Sequence, residues 1–257
     1  MRIKRDNNYV NIIHFPGNSI DYFLKLIDLI LHYNTVNLNP INESELTIFS
    51  CWTNDDKCIL YQQCKNQNIN LYNCLPKDYD KSQEWYMPNK IRFILDYLKN
   101  KVTTEITLIL DGYDVLIMNT DDLLKKFKNQ KYKILFNGTV GKYPLEDIEY
   151  IEDRDTFGAK KYFNAGCCIG YTKDLIKFYE ECLEYIDIDN PIKSEQKIIR
   201  TAFSKYSNDK NQNFVYFEYI PNIFLTMSMI NLVVKTDEID TYEAKDADEL
   251  YEINKNI

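Results

Sequence analysis

Five apolar-leaning residues, Ile106-Thr-Leu-Ile-Leu110, run without a break into Asp111. A block this short cannot sustain a helix. Carrying apolar side chains on both strand faces, it predicts a buried strand covered from two sides. The segments before it fit that reading. Glu45 to Ser50 reads as a short buried strand, Asp55 to Lys65 as a helix and Ile69 to Cys74 as a second strand. A polar, Pro-bounded loop covers Leu75 to Pro88, and Asn89 to Leu98 places Ile91, Phe93, Ile94, Tyr97 and Leu98 at helical spacing. Strands and helices alternating at these lengths predict right-handed βαβ units around a mixed, mainly parallel sheet flanked by helices.

The second half continues with predicted strands at Lys133 to Asn137, Lys161 to Gly170, Asn213 to Tyr219 and Asn231 to Lys235, and helices at Lys173–Ile186 and Glu195–Phe203. No long Gly/Ser/Pro linker, repeat or low-complexity tract divides the chain, so its 257 residues are expected to form one α/β domain. The acidic stretch Asp237 to Leu250 gives the weakest local signal.

Net charge -8 and a pI near 5.0 argue against a broad nucleic-acid or anionic-membrane surface, since both need a basic face. The apolar stretch Ile20 to Tyr33 is interrupted by Asp21, Lys25 and Asp28, and no N-terminal signal-peptide pattern is present, so the expectation is a cytoplasmic or cytosol-like protein without a membrane span. Seven cysteines lack a Cys-x-x-Cys pair and are expected to be reduced, small buried hydrophobes.

Open α/β sheets bind ligands beyond the carboxyl ends of their strands, which is where Asp111-Gly-Tyr-Asp114 falls. Two carboxylates three residues apart in a Gly-opened turn suit a hard cation such as Mn²⁺ or Mg²⁺, and equally suit a solvated turn with a capping aspartate. Tyr113 between them has a face for a nucleobase or a plain packing role. In Tyr162-Phe-Asn-Ala-Gly-Cys-Cys-Ile-Gly170, Gly166 marks a bulge or a close backbone approach, and the Asn164 amide suits a sugar hydroxyl. Ser194 opens a helix and either caps it or helps to turn Glu195 and Gln196 towards a cleft. His14, at the end of Ile12-Ile-His-Phe-Pro-Gly-Asn18, is either a semi-buried hydrogen-bonded residue or the imidazole that completes a carboxylate metal site.

In order from about Leu46 to Lys235 these segments resemble the glycosyltransferase domain of the multifunctional procollagen lysyl hydroxylases, which has a GT-A-type, Rossmann-like fold. The resemblance is carried by Asp111-Gly-Tyr-Asp114, Leu123-Leu-Lys-Lys-Phe127, Ile134-Leu-Phe136, Tyr143-Pro144, Phe163-Asn-Ala-Gly166 with Ile169-Gly170, Glu195-Gln196 and Ile223-Phe224. That family closes the domain with an apolar strand, a metal-binding histidine and a Gly-Asn pair, downstream of the segment matching Val233-Val-Lys235. No histidine follows Lys235 here, and the element stands at the front as Ile12 to Asn18. The resemblance therefore implies a circular permutation: residues 1–40 hold the displaced metal-binding strand and a helix, 45–115 a nucleotide-binding half and 116–236 an acceptor and sugar half.

The same resemblance implies Mn²⁺ held by Asp111, Asp114 and His14, with UDP-glucose as donor. Tyr113 would stack on uracil, opposed by Tyr79; Lys90, Gly166, Gly17 and Asn18 would meet the cosubstrate; Asn164, Glu195 and Gln196 would serve the sugar and its transfer. The acceptor implied is galactosyl-hydroxylysine in collagen or a collagen-like chain, for which a homodimer is conceivable through multivalency. Thr139 stands where the family has an acidic residue, and Ser194 and Glu195 replace paired aspartates, so another acceptor, hydroxylysine or a small glycan, and a catalytically silent glycan-binding module remain alternatives.

Overall fold

The computed structural model describes residues 2–5, 8–15, 38–80, 86–139, 162–186, 194–207, 213–218, 222–226, 230–235 and 238–243. A six-stranded sheet carries the fold. Its strands are β4 (Leu46–Cys51), β5 (Tyr72–Asn73), β6 (Ile106–Asp111), β8 (Ile134–Thr139), β9 (Tyr162–Tyr171) and β10 (Val215–Glu218), in the order β10-β8-β9-β6-β4-β5. Five strands run one way and β9 runs against them, pairing antiparallel with both β6 and β8.

Alternate residues of each strand feed two cores. Ile48, Leu108, Leu135 and Ile169 face one side, while Phe49, Ile109, Phe136 and Cys168 face the other. On the second side lie α2 (Pro88–Asn100), α4 (Thr172–Glu184) and α5 (Glu195–Ser207), packing Ile94, Phe178 and Phe203 into a cluster of rings around Phe136 and Phe163. On the first side lie α1 (Ile59–Asn66), α3 (Leu123–Asn129) and a three-stranded sheet of β3 (Ile12–His14), β7 (Val115–Ile117) and β11 (Phe224–Thr226). A central strand covered on both faces must be apolar throughout, which is why Ile106 to Leu110 contains nothing charged; each large side chain so buried contributes about 1.5–3 kcal/mol. A third sheet joins β12 (Ile230–Lys235), β13 (Glu238–Glu243), β1 (Arg2–Arg5) and β2 (Asn8–Tyr9). The acidic stretch with the weakest sequence signal thus supplies β13.

Two boundaries differ from the sequence expectation for local reasons. The helix expected from Asp55 starts at Ile59, because Asn54 Oδ1 accepts the N–H groups of Asp56 and Lys57 and Asp55 accepts the Trp52 indole N–H, which holds these residues in a turn. The strand expected over Ile69 to Cys74 shrinks to the edge pair Tyr72–Asn73, because it follows Asn68 at φ 54°. The helix expected within residues 1–40 lies outside the described residues.

β3 is pinned at several points. Its Ile12 to His14 pair in parallel with Phe224 to Thr226 and antiparallel with Val115 to Ile117. The buried amide of Asn11 donates to Asn119 O and Asp122 Oδ1, and its oxygen accepts from Lys126 Nζ at 2.9 Å. Phe15 N–H donates to Asp114 O at 2.9 Å, so the N-terminal strand ends beside the Asp-Gly-Tyr-Asp turn.

Candidate active site

β6 delivers Asp111 at its carboxyl end, and the turn through Gly112 and Tyr113 returns Asp114 to the start of β7. His14, at the end of β3, points its Nε2 at them, 3.4 Å from Asp114 Oδ2 and 3.8 Å from Asp111 Oδ2. One ligand atom from each residue lies within 4.8 Å of the other two. Gly166 lets β9 approach this group: a Cβ there would stand 2.4 Å from His14 Cε1 and 2.8 Å from Asp111 Oδ2.

The approach arises from an irregularity in the β8–β9 ladder. Phe136 pairs with Cys168, but the next residue, Asn137, pairs with Asn164, so Ala165, Gly166 and Cys167 bulge out of register. Each of their N–H groups finds a side-chain amide oxygen instead: Ala165 donates to Gln196 at 2.7 Å, Gly166 to Asn164 at 2.8 Å and Cys167 to Asn137 at 3.1 Å. Gln196 also returns its NH₂ to Phe163 O at 2.9 Å. Gln196 and Asn164 therefore both bond the β9 backbone beside the centre.

Lys90, from the first turn of α2, joins the centre to α5. Its ammonium binds Asp111 Oδ1 and, at 2.6 Å, Glu195 Oε1. Burial works against its charge, but Asp111 and Glu195 outweigh burial and hold the amine well above its ordinary pKa. Burial also raises the Glu195 carboxyl, opposed by Lys90 and reinforced by Asp111 and Asp114. Glu195 Oε2 is buried and, among the described residues, without a hydrogen-bond partner.

A cleft of about 470 Å³ opens over these groups, within the size range of ligand pockets, lined by Trp52, Thr53, Met87, Lys90, Tyr113 and Glu195 among others. Tyr113 is 40% exposed, and its hydroxyl accepts the Thr53 N–H at 2.9 Å, which fixes the ring as a cleft wall. The Tyr79 ring meets Phe93 edge-on at 5.7 Å, and Trp52 and Met87 line the cleft, two residues that sequence reading did not single out. Gly17 and Asn18 lie outside the described residues. Sequence reading missed Asn137, whose signal is a carboxamide directly after the buried Ile134-Leu-Phe136 run.

His14 is 3% exposed. Burial disfavours the imidazolium, yet Asp114 and then Asp111 prevail and raise its pKa, with Lys90 opposing them. A basic group whose pKa is raised by folding adds stability that is complete below its unfolded value of 6.5 and disappears as pH rises through the folded value. Urea unfolding of the metal-free protein should therefore show stability falling from pH 6.5 upwards, with a smaller slope in His14→Gln. An equal slope in the variant would remove His14 as the source.

A divalent cation fits this donor set. One imidazole nitrogen and two carboxylates suit Mn²⁺, and the open cleft leaves coordination positions for other oxygens. Asn137 Oδ1 is engaged by the Cys167 N–H, a group that can only donate, so the Asn137 NH₂ faces His14 Nδ1 at 3.1 Å. The neutral ring then carries its proton on Nε2, towards Asp114. A cation held by His14, Asp111 and Asp114 would take the place of that proton.

A family model described as the PLOD GT domain matches residues 77–191, a stretch that contains Lys90, Asp111, Asp114, Asn164 and Gly166 but neither His14 nor Glu195. Over 97 residues the chain is 35% identical to procollagen-lysine,2-oxoglutarate 5-dioxygenase 1 of Gallus gallus, covering 36% of this chain and 13% of that protein. The chain is a relative of the PLOD glycosyltransferase domain. It spans only that 13% of the length of its avian relative. The mixed α/β architecture is consistent with the GT-A-like fold of a PLOD GT domain relative, and the kinship supports glycosyl transfer as its general chemistry. Among solved structures, 4-diphosphocytidyl-2C-methyl-D-erythritol synthase from Anaerococcus prevotii DSM 20548 aligns with a TM-score of 0.36 and 10% identity, over 84% of this chain and 99% of that one, a likeness too weak to bear on function. No described helix of this PLOD GT domain relative is long and apolar enough to cross a membrane.

Proposed function

We propose that this protein is a metal-dependent, retaining glycosyltransferase that moves glucose from UDP-glucose to galactosyl-hydroxylysine in a collagen-like chain. The observation that carries the reading is the convergence of His14, Asp111 and Asp114 on one point at the floor of a cleft walled by Tyr113. The kinship with a procollagen-lysine-modifying enzyme supports the acceptor class. We read β3 as the permuted last strand of the domain, a reading supported by its position between β11 and β7.

His14, Asp111 and Asp114 would hold Mn²⁺, which when bound supplies Lewis-acid neutralisation of the diphosphate leaving group. The chain's own residues do the rest. Tyr113 offers a ring already locked by Thr53, so that stacking on uracil costs little ordering entropy. Glu195 presents a buried oxygen that has no partner among the described residues and suits a sugar hydroxyl, and as the carboxylate paired with Lys90 it would favour an oxocarbenium-like transition state. Asn164 and Gln196 keep the bulge in place beneath the sugar.

UDP release should require Mn²⁺, UDP-glucose and peptides carrying galactosyl-hydroxylysine. Turnover with bare hydroxylysine alone would replace glucosyl by galactosyl transfer, and turnover with small glycans alone would move the acceptor. Neither hydrolysis nor transfer with any donor would leave a silent glycan-binding module.

A further inference from the structure

The Asn137 side chain hydrogen-bonds both the imidazole and the bulge beneath it. It is fully buried, lies on β8 and bonds three other strands: its oxygen accepts from Cys167 N–H on β9, and its NH₂ donates to His14 Nδ1 on β3 and to Thr226 Oγ1 on β11, the last at 3.0 Å. Neighbouring contacts leave this unit little freedom to shift. A Cβ on Gly138 would lie 2.1 Å from Glu218 O, so β8 and β10 are in close contact there. The Glu218 carboxylate meanwhile accepts the N–H groups of Ile223 and Phe224 and fixes β11.

Two demands meet on the one amide oxygen. Without a cation, and above the pH at which the imidazole gives up its second proton, the NH₂ and the unprotonated Nδ1 are complementary. With a cation on Nε2, the neutral ring keeps one proton, now on Nδ1, where it faces the Asn137 NH₂ as donor against donor. The mismatch is relieved if the carboxamide turns to present its oxygen to Nδ1–H, and that turn takes from Cys167 N–H its acceptor. We infer that Asn137 is a positioning residue that couples cation loading at His14 to the Ala165–Cys167 bulge, through a single carboxamide that cannot serve both at once. This inference rests on the cation reading given above. The bulge carries Gly166 against the cation ligands and lies beside Glu195 and Gln196, so occupation of the metal site is transmitted to the floor of the sugar-binding side.

The experiment uses Mg²⁺ as a diamagnetic probe on the full chain, with calorimetry for affinity and NMR of the Cys167 backbone amide and the Asn137 side-chain amide. In the wild type, saturating Mg²⁺ should shift both signals and speed hydrogen exchange at Cys167. Asn137→Asp offers acceptor oxygens to both N–H groups: it should bind Mg²⁺ about ten-fold more tightly, in the range that outer-shell partners of metal ligands command, and leave Cys167 insensitive to the cation. Added charge alone would tighten binding without abolishing the Cys167 response, and that combination overturns the inference. So does Mg²⁺ binding by the wild type with both amide signals unmoved, a result that needs no variant to fold. Absence of Mg²⁺ and Mn²⁺ binding by the wild type would overturn the cation reading and this coupling with it.

Discussion

Gly166→Ala is expected to abolish Mn²⁺ binding in the micromolar-to-millimolar range and to lower UDP release at least about 100-fold, the scale of loss that a 1 Å misplacement of reacting groups produces. The added methyl would lie 2.4 Å from His14 Cε1 and 2.8 Å from His14 Nε2 and Asp111 Oδ2, all far inside contact distance. Relief by movement of the imidazole is blocked, because the ring is 3% exposed and bonded to Asn137. Asp111 is tied to Lys90 and lies on a ladder strand. The backbone at residue 166 must retreat, and the bulge goes with it. Calorimetry with Mn²⁺ and a UDP-release assay measure the two losses. Gly112→Ala is the internal comparison, since its Cβ would meet neighbours at 3.0–3.3 Å and calls for only small adjustments. Retention of Mn²⁺ affinity by Gly166→Ala would contradict the packing of β9 against the cation ligands.

The second large effect is on stability. Lys90→Met should cost about 3–5 kcal/mol in the metal-free protein, the usual consequence of stripping a buried charge cluster of one partner. The ammonium side chain is 13% exposed and Glu195 10%, while Asp111, at 27%, is partly hydrated and pulls the cost towards the lower end. Removing the lysine leaves Glu195, Asp111 and Asp114 as acids without the ammonium that separates them. Mn²⁺ should recover part of the loss by mass action, because a cation neutralises Asp111 and Asp114, whereas Glu195 lies outside the three-residue cluster and remains uncompensated. Urea unfolding with and without Mn²⁺ gives both quantities. A variant as stable as the wild type would show that Lys90 does not hold Asp111 and Glu195 together.

Much of the frame was legible because the physics that fixes it is local and periodic. The apolar run ending at Asp111 could only be an interior strand, and its carboxyl end is where such sheets place their chemistry. Helical spacing marked α2 and α4 for the same reason. What escaped were features decided by neighbours far away in the chain. Nothing around Asn137 announces that its amide will replace a ladder partner for Cys167, since that need arises only when β9 slips out of register against β8. Trp52, which the sequence does not single out, lines the cleft, because the turn that carries it is set by its hydrogen bonds to Asp55 and Asn73. Lys90 illustrates a third case: the resemblance set it against the cosubstrate, while its two acidic partners, Asp111 and Glu195, come from different elements and could not be read from its own segment.

The parallel pairing of β3 with β11 has a consequence for how the molecule comes into being. The imidazole strand can join β7 once Val115 to Ile117 has been made, but its parallel neighbour is completed only when Phe224 to Thr226, much further along the sequence, has followed. That second closure joins residues far apart in sequence, the kind of distant contact that forms late and slowly. A nascent chain without Phe224 to Thr226 would hold the imidazole strand by one edge alone, so firm retention of a divalent cation should follow the making of β11.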